Sequence, residues 1–207
     1  MTTAVTGGSV TVGHMPTDWP DLITAVVGEL DELFAGVPDD DWQQPAAYVG
    51  WTCWRTAEHV SGDFAHYAAQ VASRATDHYV TFSFDTSRAK TPAELREVVR
   101  AAGGFLSACV RVADPIALAW HPHGMYTPAG YAAIGAAEGI VHGTDIATGL
   151  ELPWTPSDAV VTPVVDTVFP GVRQPDEPPL PALLRATGRG PDPAPGRWTY
   201  SAAAART

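Results

Sequence analysis

The sequence predicts an all-α protein: a four-helix bundle with a long crossover and short C-terminal helices. Three observations carry this. Four long windows repeat apolar residues at spacings of three and four, the period of a helix with one buried face. Their starts combine Thr or Asp with a nearby Pro or Trp, and Gly or Pro closes most of them. Only one stretch alternates in the manner of a strand. With 207 residues and 45% hydrophobic content, the chain can bury one sizeable core.

The first helix opens after Pro16 under a Thr17 or Asp18 cap. It carries Leu22, Ile23, Val26, Val27, Leu30, Leu33 and Phe34 until Gly36 and Pro38 stop it. A polar loop from Asp39 to Pro45 follows and holds Trp42. The second helix follows Gly50-Trp51-Thr52, with Thr52 as N-cap, and runs to the neighbourhood of Arg74. His59 sits at the edge of its apolar stripe. Tyr79–Phe84 alternates but stands alone, so it reads as an extended crossover rather than part of a sheet. The third helix opens on Thr91-Pro92-Ala93-Glu94, a cap, a first-turn proline and a third-position acid. Gly103-Gly104 weakens it locally, and a loop from Trp120 to Met125 follows. The fourth helix runs from Thr127-Pro128 to near Thr148, with Gly149 as its stop. A fifth fits Thr155–Phe169, and one turn, Leu180–Ala186, precedes Thr187-Gly188-Arg189. The expected organisation is a flexible arm at 1–15, a metal-binding bundle at 16–150, a helical extension packed on it at 151–200 and a disordered tail at 201–207.

Charge and composition narrow the function classes. The net charge is −11, from 12 Lys+Arg against 23 Asp+Glu, and such a surface repels phosphate backbones. Nucleic acid is therefore not an expected partner. No stretch approaches the roughly 20 apolar residues of a membrane span, and no basic-then-apolar leader opens the chain. A cytoplasmic monomer or homodimer is expected. Cys53 and Cys109 form no CxxC pair and read as two buried free thiols. Trp51 and Trp54 read as core anchors at a helix start.

The chemistry concentrates on the fourth helix. Glu138 and His142 stand four apart, so they share one face about 40° apart. That spacing alone is common in solvated helix pairs. The surroundings are unusual: Ala136, Ala137, Gly139, Ile140 and Val141 leave the carboxylate among apolar neighbours, where it needs a partner or a metal. His59, on a different helix, is the natural third donor, because bundle metal sites draw on facing helices. Three protein donors leave the open fourth position of a catalytic zinc site. Asp63 and Asp145 are spaced to accept a free ring N–H from these histidines, although either suits a surface equally. His66, seven residues after His59, is an extra donor or, on the more ordinary reading, a packed histidine. His121 and His123 sit in a loop entering the fourth helix; both could line the site mouth, although a loop histidine is more often solvated. His14 and His78 are peripheral. No GxGxxG, P-loop or GxSxG is present.

Three motifs together resemble a known group. Trp42 followed by Gly50-Trp51-Thr52 and His59, then Glu138-x3-His142-Gly143-x-Asp145-Ile146, then Leu183-Leu184-Arg185-Ala186-Thr187-Gly188-Arg189, are similar to the DinB-like superfamily. Within it they resemble the mycothiol-dependent maleylpyruvate isomerase N-terminal domain family. The resemblance spans Thr17 to Tyr200. It implies a zinc ion, or another divalent metal, held by His59, Glu138 and His142. It also implies a low-molecular-weight thiol such as mycothiol, ionised at that metal, as cosubstrate. Full isomerases carry a second domain, for which too few residues follow the fifth helix. The expectation is therefore S-transfer to, or isomerisation of, another small electrophile. The alternatives are a non-catalytic metal- or small-molecule-binding bundle and a hydrolase using metal-bound water.

Overall fold

The computed structural model describes residues 17–190. The arm at 1–15, His14, the tail at 201–207 and the last ten residues of the helical extension lie outside the described residues.

The elements run α1 (Trp19–Ala35), a 3₁₀ turn (Asp39–Gln43), α2 (Cys53–Ser73), α3 (Pro92–Val112), β1 (Ala119–His121), β2 (Gly124–Tyr126), α4 (Pro128–Gly149), α5 (Asp158–Val168) and α6 (Pro179–Ala186). Each long helix starts on a side chain that satisfies an orphan backbone N–H. Asp18 caps α1, Thr52 caps α2 and Thr127 caps α4. Thr91 and Glu94 form a reciprocal capping box on α3.

The bundle is all-α, but only α2 and α3 of its consecutive helices are close neighbours. α3 and α4 each pack against both α1 and α2, and touch each other only lightly. The order around the bundle is thus α1–α3–α2–α4, so the α1–α2 and α3–α4 connections cross the bundle while α2 and α3 are neighbours. The first holds the 3₁₀ turn, whose Trp42 is fully buried edge-on to Phe34 and Trp54. The α2–α3 connection is the extended crossover through 79–84, which forms no strand.

α4 is buried on nearly every side: α1 and α2 cover it within the bundle, and α5 packs outside. Glycines permit this. A Cβ at Gly135 would lie 2.7 Å from Leu106, and one at Gly143 would lie 2.7 Å from Leu30. Neighbouring side chains therefore rest directly on the α4 backbone.

Three expectations change. The 120–125 segment is no solvated loop: β1 and β2 pair antiparallel through Trp120 and Met125, and His121 is buried. Cys109 is only half-buried, whereas Cys53 is fully buried. Gly103 does more than weaken α3. A Cβ there would lie 2.2 Å from Val27, so this glycine sets how closely α1 approaches α3.

Candidate metal centre

α4 presents Glu138 and His142 one turn apart, 7% and 4% exposed, and α2 brings His59 across from them. His142 Nε2 lies 3.2 Å from Glu138 Oε2. The His59 and His142 rings meet edge to face at 4.9 Å. One donor atom from each of the three lies within 4.8 Å of the others. Two imidazoles and a carboxylate, converging this closely and mostly dry, can hold a divalent cation.

Behind this trio stands a second layer of charge. His142 Nδ1 and Asp145 Oδ2 are 2.9 Å apart, and Asp145 is wholly buried. Arg189 grips that carboxylate with two hydrogen bonds: Nε donates to Oδ1 at 3.1 Å and Nη2 to Oδ2 at 2.8 Å. Its Nη1 donates to the Thr187 carbonyl at 2.7 Å. Local geometry brings Arg189 inward. Thr187 closes α6 by donating its hydroxyl to Leu183 O, and Gly188 at φ +74° reverses the chain. The Arg189 amide then bonds Leu184 O at 2.7 Å.

Burial alone would lower His142, but its hydrogen bonds to Asp145 and Glu138 outweigh this and raise its pKa to about 9. His59 moves the opposite way. Burial, then the His142 charge, holds its imidazole below the ordinary value. His59 Nε2 lies 3.3 Å from Asp63 Oδ2. Burial and the Glu138 carboxylate push Asp63 well above the usual carboxylate range.

A cleft of about 710 Å³ opens over these groups. Its walls come from connectors: Tyr48, Val49 and Trp51 before α2, Tyr79 on the crossover, Pro122 and His123 in the hairpin turn, and Thr187–Arg189 after α6. The 45–52 strap is tied down by the Ala47 amide, which donates to the Asp145 carbonyl at 2.9 Å, and by the Pro45–Thr52 bridge.

The remaining candidates separate. His123 is exposed and lines the cleft, and its amide donates to His121 Nδ1 at 3.2 Å. His121 also lines the cleft, stacks on Tyr126 at 4.5 Å, and is pushed by burial to a pKa of about 4. His66 is not one of the three converging donors; its ring is edge-on to Tyr79, and with His59 and Asp63 it lines a smaller recess of about 270 Å³. Trp51 overturns the expectation of a core anchor. It is 38% exposed and packs edge-on to His59 at 5.0 Å, while Trp54 stays with Trp42. Trp51, Arg189 and the cleft-wall tyrosines Tyr48 and Tyr79 are site residues that sequence reasoning missed. For Arg189 the available signal was an isolated Thr-Gly-Arg after a helix.

With this geometry in place, the match to known proteins is informative. Residues 23–147 match the family described as the mycothiol maleylpyruvate isomerase N-terminal domain. The chain belongs to that family. The matched stretch runs from α1 to the end of α4 and contains His59, Glu138, His142 and Asp145, but not Arg189. No curated protein and no solved structure matches the chain. Membership in the mycothiol maleylpyruvate isomerase N-terminal domain family ties the bundle to chemistry linked to a low-molecular-weight thiol.

Proposed function

We propose that the chain is a metal-dependent enzyme, with zinc the best-suited ion, that activates a thiol such as mycothiol toward a small electrophile. The outcome is S-transfer or isomerisation. The observation that carries this is the convergence of His59, Glu138 and His142 at the floor of a cleft large enough for two small reactants. When bound, the ion supplies Lewis acidity that lowers the pKa of a thiol, so that it ionises at neutral pH.

The chain's own residues hold and aim. His59, Glu138 and His142 would hold the ion. Asp145 fixes the His142 ring so that Nε2 faces the cleft, and Arg189 fixes Asp145. Trp51 covers the His59 ring from solvent. The chain's own thiols are poor nucleophiles. Burial pushes Cys53 to about 11 and raises Cys109, and neither lines the cleft. A nucleophilic thiol therefore has to come from outside. Its sulfur forms a C–S bond with the electrophile. In S-transfer a leaving group departs with the displaced electron pair. In isomerisation a bond rotates and the same thiolate leaves again.

Metal analysis of protein purified without chelator tests this. Near one ion per chain is expected, lost in His59→Ala, with thiol-dependent turnover of a reactive electrophile lost in parallel. Wild-type protein that takes up no ion overturns the reading. Full metal loading without thiol-dependent turnover leaves a binding protein.

A further inference from the structure

α3 carries two apolar stripes, and the bundle uses only one. Leu95, Val99, Ala102, Leu106 and Val110 face the core. A second stripe, Val98, Ala101, Phe105, Ala108 and Val112, advances by three, four, three and four residues, the spacing of a helix–helix seam. It is largely in solvent: Phe105 is 53% exposed and Val112 84%. Phe82 on the crossover and Ile116 after α3 are exposed as well. Isolated exposed apolar residues are ordinary, but a row of them in heptad register on one helix is a recognition face.

We propose that this stripe pairs with the same stripe of a second copy, antiparallel, about a two-fold axis near residues 103–104. Two features of the stripe select that occupant. The first is steric. Antiparallel pairing about that axis sets Phe105 against Ala101 of the other copy and Val98 against its Ala108, large on small along the middle of the seam, while Val112 at its end faces Glu94; the same contacts repeat across the axis, as an isologous interface requires. The second is charge. Glu97 and Arg111 lie two heptads apart on one edge of the stripe. In antiparallel seams such equivalent edge positions meet across the axis, so Glu97 faces Arg111 of the other copy, twice. A parallel pair would instead set the acidic end of α3 (Glu94 and Glu97) against itself. Arg111 is already oriented by its ion pair with Asp21. Pairing would also reach toward the metal centre. Phe84 and Thr86 of the crossover line both the shallow groove beside Phe105 and the recess that contains His59 and Asp63.

The test is sedimentation and light scattering on the full chain at micromolar concentration, with disulfide trapping. Wild type is expected as a dimer. Phe105→Glu and, separately, Ala101→Glu should weaken self-association roughly 30-fold or more, with melting temperature of the monomer and metal content unchanged. In a Cys109→Ser background, the double variant Val98→Cys/Ala108→Cys should cross-link into dimers under mild oxidation. These two positions lie about 15 Å apart along one helix and cannot join within a chain. Val98→Cys alone should stay uncrosslinked. A monomeric wild type at these concentrations overturns the proposal, as does a dimer untouched by both surface variants. Efficient cross-linking by Val98→Cys alone would mean parallel pairing and would also overturn it.

Discussion

Replacing Arg189 with Ala removes a residue that lies outside the span matching the family, yet the metal centre should feel it. The wholly buried Asp145 accepts hydrogen bonds of 3.1 and 2.8 Å from the guanidinium and shares its Oδ2 with His142 Nδ1. Without Arg189 that carboxylate stays in the interior with its main counter-charge gone. Breaking a buried pair from one side costs about 3–5 kcal/mol. For a chain of this size each kcal/mol shifts Tm by about 2–4 °C, so the expected drop is about 6–20 °C. Calorimetry on metal-free protein reads this directly. A second consequence is independent of global stability. With Asp145 no longer held, the His142 ring loses its fixed orientation, and metal affinity should fall about 10- to 100-fold. Competition with a chromophoric chelator, at a temperature where the variant is folded, measures it. Arg189→Lys keeps the charge but not the two-point grip, and should fall between. A variant that melts within about 2 °C of wild type and binds metal equally well would refute the reasoning.

The pH dependence of metal binding should follow His142. Its pKa of about 9 means the metal-free imidazole is charged at neutral pH, while ligation needs Nε2 neutral. Affinity should therefore climb about tenfold per pH unit from 7 toward 9 and level off above, with proton release visible by titration calorimetry in buffers of different ionisation enthalpy; flat affinity would contradict this. The same raised pKa stabilises the metal-free fold fully below about 6.5, an increment lost as pH rises through about 9, which urea unfolding across that range should show. Two helix glycines should respond oppositely to Ala. At Gly103 the new methyl meets Val27 and should cost about 1–3 kcal/mol, whereas at Gly28, where nothing lies within 4 Å, it should add about 0.5–1 kcal/mol. Tyr48 lines the cleft at φ +62°, so Tyr48→Gly should raise stability by about 1 kcal/mol through relief of left-handed strain while raising KM for the cleft's reactants; unchanged KM would remove Tyr48 from the binding wall.

The helices were legible because their signals are local. Asp18, Thr52, Thr91 with Glu94, and Thr127 mark helix starts by chemistry within three or four residues, and the apolar spacing needs no partner to be read. Glu138 and His142 were legible together for the same reason, since one helix fixes their relation. His59 needed the added premise of a facing helix. What stayed hidden depends on long-range placement. The α1–α3–α2–α4 order cannot be read from any window. Asp145 and Arg189 meet across 44 residues through a left-handed glycine. Trp51 carries the burial preference of its residue type but stands where the strap turns into solvent beside His59. The hairpin at 119–126 has strands of three residues, too short to show alternation.

The wrapping of α4 also bears on how quickly an ion held at this centre could leave. A helix covered on nearly every side loses its backbone hydrogen bonds only when the whole domain opens, so its amides should exchange at the slowest, global rate. Glu138 and His142 share that immobility. His59 does not: its side chain is 30% exposed, stands on α2 and borders both recesses. Dissociation would then begin with a single rotamer change at His59, and metal exchange would run on the timescale of that side chain and its Trp51 cover, uncoupled from the lifetime of the fold.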